Sequence, residues 1–258
     1  LGPSPIHRVL SSIRASSVES LLIGGQACIL YGAAEFSRDT DLAILANADN
    51  LLRLEAALAE LEARVIAVPP FELEYLDRGH AVHFECGRSD VAGMRVDVMS
   101  RLRGVDPFSA LVARRQTRVL PDGLAIDVIG LPDLVLSKKT QRDKDWPMIR
   151  RLVEVNYLTT TSDPSPDQTA FWLRELRTPT LLVEAVRRFP DVADAVVAER
   201  PLLEAAGAGD EARIEAALAS EAGLERDRDR AYWAPLRAEL EDLRGQARRR
   251  RRHGGQER

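Results

Sequence analysis

The chain has 258 residues, 45% hydrophobic and 29% charged, which fits one large domain or two modest ones with a real core. Its net charge of −4 argues against a surface coated in nucleic-acid contacts, and no apolar run approaches the roughly 18 residues of a membrane span. Cys28 and Cys86 give neither a disulfide framework nor a metal-ligand spacing, and LGPSPIHRVL lacks the pattern of a signal peptide, so a reducing cytoplasm is expected.

In chain order, residues 4–17 read as a short helix capped by Ser4, with Pro5 at its first position. Residues 18–23 form an apolar run that Gly24-Gly25 breaks, and residues 27–31 resume as helix. Residues 40–45 have strand character. Leucines at 51, 54, 58 and 61 put one apolar face on a helix over residues 50–61. Further strands are expected at 65–68, stopped by Pro69-Pro70, and at 81–85, 95–100, 117–120 and 124–129. Pro121-Asp122-Gly123 predicts a hairpin turn between the last two. Residues 131–142 and 147–158 look helical. Pro164 and Pro166 mark a boundary within 159–167, and beyond it Pro179, Pro190, Pro201 and Pro235 punctuate helices rich in Ala, Leu, Glu and Arg.

The pattern predicts an α/β (α+β) fold: a mixed sheet flanked by helices over residues 1–158, then an all-helical C-terminal region over 168–247. Charge is unevenly spread. Residues 101–151 hold eleven Lys/Arg against six Asp/Glu, and residues 244–258 hold seven Arg against one Glu. Residues 248–258 read as a frayed basic tail, with a polyanion contact as the alternative, since arginine pairs well with phosphate.

The chemistry concentrates in residues 24–41, GGQACILYGAAEFSRDTD. Asp39 and Asp41 are two apart, so on a strand both carboxylates point the same way, with Cα atoms roughly 6.6 Å apart. Thr40 then faces the other side with Leu42 and Ile44. A third acid, Asp97, alternates with apolar neighbours in MRVDVMS, and burying it without a partner would be costly. A shared divalent cation would relieve that cost and the mutual repulsion of the acids. Gly24 and Gly25 lie between a strand-like and a helix-like run, where backbone approaches a phosphate closely. Gln26 is a hydrogen-bond donor to phosphate or a helix cap.

Ile23-Gly24-Gly25, Asp39-Thr40-Asp41 and Asp97 together resemble the nucleotidyltransferase superfamily of the polymerase-β-like fold, over roughly residues 18–156. Arg38 looks like the Arg/Thr-rich lead-in of bacterial members with Gly-Gly. The resemblance implies a nucleotidyltransferase-type sheet, with Asp39, Asp41 and Asp97 as catalytic and metal-binding carboxylates. Gly25 stands where many members carry a phosphate-contacting serine, so backbone amides or Gln26 would serve there. The stretch LPDLVLSKKTQRDKDWPMI looks like the "K…RxKD" segment of nucleotidyltransferases related to abortive-infection and toxin–antitoxin proteins. Lys138, Arg142 and Asp145 fall at i, i+4 and i+7 of one helix face, and Lys138 suits a triphosphate counter-charge. Pro147 implies that Lys144 and Asp145 lie at a break between two helices.

The resemblance implies transfer of a nucleoside monophosphate from an NTP such as ATP to an acceptor, with Mg²⁺ or Mn²⁺ and release of pyrophosphate. The acceptor is left open among RNA or tRNA, a protein and a small molecule, and the C-terminal helices are expected to shape the acceptor site or a protein interface. A metal-dependent glycosyltransferase also uses Asp-x-Asp, but only 38 residues precede Asp39 here. The other-class alternative is a catalytically silent nucleotide- or RNA-binding domain serving as a toxin–antitoxin-type partner. His80 and His83 read as surface or packing residues, and Trp146, Trp172 and Trp233 as packing anchors.

Overall fold

The computed structural model describes residues 4–160 and 162–254, with side chains to residue 249. Ser4 caps α1 (Pro5–Ala15) by accepting from the His7 amide, and Pro5 occupies the first turn, where its missing N–H costs nothing. β1 (Ser20–Ile23) runs directly into α2 (Gly24–Leu30), and a loop leads to β2 (Asp39–Ile44). Then follow α3 (Ala48–Glu60), β3 (Arg64–Val65), α4 (Leu73–Arg78), β4 (Val82–Glu85), β5 (Arg95–Met99), α5 (Phe108–Ala113), β6 (Gln116–Val119) and β7 (Ala125–Val128). The rest of the described chain is helical: α6 (Leu131–Ser137), α7 (Asp145–Thr159), α8 (Pro166–Glu175), α9 (Pro179–Arg188), α10 (Pro190–Val196), α11 (Leu202–Ala208) and α12 (Glu211–Gly254).

The strands form one mixed sheet in the order β3-β4-β5-β2-β1-β7-β6, so the α+β class is the one the sequence predicts. β2 runs parallel to β5 and β1 parallel to β7, while the remaining neighbours are antiparallel. Period-2 alternation divides the faces. Thr40, Leu42, Val96, Val98, Val82 and Phe84 are buried, and α1 brings Leu10 and Ile13 beside Leu22, Leu42 and Ile126. The opposite face of the three strands carries Asp39, Asp41, Arg95, Asp97, His83 and Glu85. The leucines of the third helix, 51, 54, 58 and 61, are buried as their spacing predicts. The buried Asn50 donates to the Glu19 and Leu45 carbonyls and accepts from the Glu19 amide, which fixes α3 to the end of β1.

Several element expectations need correction. The helix expected over 131–142 stops at Ser137, so Lys138, Arg142 and Asp145 do not share one helix face. The next helix begins at Asp145 with Pro147 in its first turn, where the missing amide is tolerated. α4 and α5 fall where no helix is predicted, and β3 is Arg64–Val65, so it includes only Val65 of the strand expected over 65–68. Pro235 does not break α12: Pro235 and Ala231 are exposed, so the carbonyl that loses its donor is open to solvent. The backbone of 248–254 continues this helix, and residues 255–258 of the expected tail lie outside the described residues.

Compactness divides the chain after Leu134 and again after Arg230, whereas the composition shifts at 159–167. One unit holds the sheet: residues up to Leu30, Glu35–Leu134 and the chain from Ala231. The other is Tyr31–Ala34 with Val135–Arg230. Its core centres on the fully buried Trp172, which meets Tyr157 edge-on at 5.0 Å and donates to Asn156. Among the described residues no helix is long and apolar enough to cross a membrane.

Candidate active site

The register of the sheet assembles the acids. Asp41 pairs with Ile23 of β1 on one side and Asp97 of β5 on the other, and Asp97 pairs with His83 of β4. Adjacent strands lie about 4.8 Å apart, so Asp41, Asp97 and His83 form a row across three strands. A second row, nearer the start of β2, runs Asp39, Arg95, Glu85, Arg64 with alternating charge. Arg64 pairs with Glu85 at 3.1 Å. All three predicted acids therefore occupy one face, and Asp39 and Asp41 are half-buried there.

Gly24 makes room for the carboxylate. Its φ is +63°, and a Cβ on it would lie 1.9 Å from Asp41 Oδ2. The Gly25 amide donates to the same oxygen at 3.4 Å, and a Cβ on Gly25 would meet Ser37 Oγ at 2.4 Å. The glycine pair thus accommodates Asp41 and the returning loop at once. Gln26 is buried and donates through Nε2 to the Ser37 carbonyl at 3.0 Å, so this amide hydrogen is committed to the loop before Asp39. Arg38 is exposed, with its guanidinium 5.9 Å from the centre of the exposed Phe36 ring.

Asp97 is well enclosed, with 13% of its side chain exposed. His83 Nδ1 lies 2.9 Å from Asp97 Oδ1 and Arg95 Nη2 lies 3.5 Å from it. Yet neither His83 Nδ1 nor Asp97 Oδ1, both buried atoms, makes a hydrogen bond. Asp97 Oδ1 is thus held by two ion-pair contacts and by no hydrogen bond. His83 is the residue that sequence reasoning missed. Its alternation with Val82 and Phe84 was visible, but only the pairing of β4 with β5 sets it beside Asp97.

These features fit a divalent cation: a buried carboxylate oxygen on Asp97 that makes no hydrogen bond, with the Asp41 carboxylate abreast of it in a glycine cradle. Among the described residues no group of three or more His, Cys, Asp or Glu side chains is gathered as a ready cluster. Mg²⁺ does not require one, because it commonly takes one or two carboxylates and completes its octahedron with phosphate oxygens and water.

The second predicted segment lies at the start of the other unit. Asp145 is buried and accepts from Thr140 Oγ1 at 2.6 Å and Arg142 Nε at 2.8 Å, with Lys138 Nζ 3.7 Å away. Lys138 and Arg142 are thus gathered on Asp145 by the 138–144 turn, and Lys144 is exposed. The Arg177 and Arg226 guanidiniums lie over the Trp146 ring at 4.8 and 5.2 Å, a packing role as expected.

Two other features do not join the acid face. A cavity of about 500 Å³ sits against the apolar face, between α1, α2 and the β6–β7 turn, lined by Leu10, Leu22, Leu30, Pro121 and Ile126 among others. Both cysteines are buried thiols, Cys28 donating to the Gly24 carbonyl at 3.2 Å, and burial pushes the Cys86 thiol up, which disfavours thiolate chemistry there. In comparisons with known protein families and with curated proteins, no family model and no curated protein matches this chain.

Proposed function

We propose that this protein is a metal-dependent nucleotidyltransferase that moves a nucleoside monophosphate from an NTP to an acceptor and releases pyrophosphate. The observation that carries the reading is the pairing of Asp41 with Asp97 on adjacent parallel strands, with Gly24 packed so closely on Asp41 that no side chain fits between them. Asp39 joins them two residues along the same face.

Asp39, Asp41 and Asp97 would hold Mg²⁺ or Mn²⁺. Bound metal supplies charge stabilisation to the triphosphate and lowers the pKa of an attacking oxygen. The chain's own residues position the reactants. Gly24 lets the Asp41 carboxylate pack directly on the backbone, and the Gly25 amide that donates to it orients it, so the space over the glycines is taken by Asp41 and Ser37 rather than left to a phosphate. Asp97, whose buried Oδ1 lies beside His83 and Arg95, would complete the carboxylate set or take the acceptor's proton. The acceptor oxygen bonds to the α-phosphorus as that phosphorus parts from the pyrophosphate oxygen, and the acceptor hydroxyl gives up its proton.

The test is incubation with each α-labelled NTP and Mg²⁺ or Mn²⁺, together with cellular RNA, protein and small-molecule fractions. Label entering one fraction, and lost in the Asp39→Ala/Asp41→Ala double variant, supports the reading and identifies the acceptor class. Transfer that survives that double variant sinks it. NTP binding with no transfer to any fraction moves the assignment to the silent nucleotide- or RNA-binding partner.

A further inference from the structure

We propose that Arg95 is the phosphate-holding residue of the acid face, closing on the β- and γ-phosphates of the donor; this rests on the nucleotidyltransferase reading above. Arg95 begins β5, is the register partner of Asp39 across the parallel strand pair, and points to the same face as Asp97. From there an arginine side chain, about 7 Å long, spans a strand spacing of about 4.8 Å and reaches the space above both aspartates of β2.

Its present contacts leave it underused. Nη2 stands 3.5 Å from Asp97 Oδ1, a distance too long for a strong charge-assisted hydrogen bond. Nε is buried and has no hydrogen-bond partner. Other arginines of the same unit are matched: Arg64 to Glu85 at 3.1 Å, Arg88 through two nitrogens to Asp90, and Arg114 through two nitrogens to Asp133. Arg95 thus has a fixed stem, an unsatisfied donor and a half-exposed head, beside three carboxylates that would otherwise repel a triphosphate. A planar guanidinium offers paired N–H donors at the spacing of two phosphate oxygens, a stronger arrangement than one long contact to a carboxylate.

The experiment is calorimetric titration, with Mg²⁺ and no acceptor, of the four NTPs, the matching NMPs and inorganic tripolyphosphate into the wild type, Arg95→Ala and Arg95→Lys, with thermal midpoints recorded for each. Arg95→Ala is expected to weaken NTP and tripolyphosphate binding about tenfold or more while NMP binding changes little. Arg95→Lys, which keeps a point charge without the fork, should fall between the two and keep the wild-type midpoint. Unchanged tripolyphosphate affinity in Arg95→Ala overturns the assignment, as does an equal loss of NMP and NTP binding, which marks a structural role. If Arg95→Ala does not fold, Arg95→Lys decides alone: full wild-type affinity for tripolyphosphate overturns the fork. A wild type that binds no NTP overturns both proposals. One that binds NTP in an Arg95-dependent way but transfers no label leaves Arg95 standing and removes only the transferase reading.

Discussion

Gly24 carries two constraints in one residue. Its φ of +63° strains any L side chain by about 1–2 kcal/mol, and the missing Cβ is space that the Asp41 carboxylate fills. Gly24→Ala should therefore destabilise the protein by about 2 kcal/mol or more in urea unfolding. In an Asp41→Gly background the overlap is gone, and the same substitution should cost only the backbone component, about 1 kcal/mol. Equal costs in the two backgrounds would show that the contact is relieved some other way. At this scale the sequence was informative about identity and silent about partnership. Asp39 and Asp41 announce themselves by spacing. His83 is an ordinary residue of an ordinary strand until β4 is set in register with β5, because Asp97 lies on that other strand; Arg95 meets Asp97 within β5 and faces Asp39 only through the pairing with β2. Gln26 has the same history: its partner is the Ser37 carbonyl, on a loop whose return path local sequence does not encode.

Elements were legible where one periodicity ran long enough. The 13 residues of α3 and the alternating strands β2, β4, β5 and β7 lie within a residue or two of their expected bounds. The six-residue helices α4 and α5 are too short to show a helical period. The helix expected to run to 142 ends at Ser137 because the side chains that follow have better partners in a turn: Thr140, Arg142 and Lys138 converge on the buried Asp145. Asp145→Ala should cost about 3 kcal/mol in chemical denaturation, since it leaves the enclosed Lys138 ammonium without its carboxylate. α7 also carries a titration signature. Burial, and then the Glu184 carboxylate that accepts its hydroxyl at 2.8 Å, push the Tyr157 phenol up to about 12 from an ordinary 10.0. The folded protein holds this proton more tightly than the unfolded chain. Its contribution is complete below pH 10.0 and is lost as pH rises through about 12. Thermal midpoints measured from pH 9 to 12 should fall along that window in the wild type, and Tyr157→Phe should flatten the fall.

Across the whole molecule, the unit that holds the sheet is assembled from distant stretches of sequence. His80 is almost fully buried, and its Nε2 lies 2.7 Å from Glu239 Oε2, while Arg78 meets the other oxygen at 2.9 Å. Tyr232 packs its hydroxyl over Gly79, 3.3 Å from where a Cβ would stand. Glu239→Ala should lower the thermal midpoint, with a loss of about 1–3 kcal/mol, because it strands a buried imidazole. An unchanged midpoint would mean that the Glu239 contact contributes nothing to this unit's stability. His80 was legible only as a packing residue, since its partner lies 159 positions away.

The position of Glu239 bears on how the protein is made. Synthesis reaches Leu134 with every strand of the described sheet already made, yet the buried histidine still waits for a carboxylate 159 positions after it. Synthesis at about 5–20 residues per second puts several seconds between the two. During that interval the acid-bearing strands are available without Glu239, while the intervening helical residues are being made. The nascent chain therefore acquires the strands of its candidate chemistry before the clasp on His80. A fragment cut after Leu134 would preserve that unfinished stage rather than isolate a finished domain.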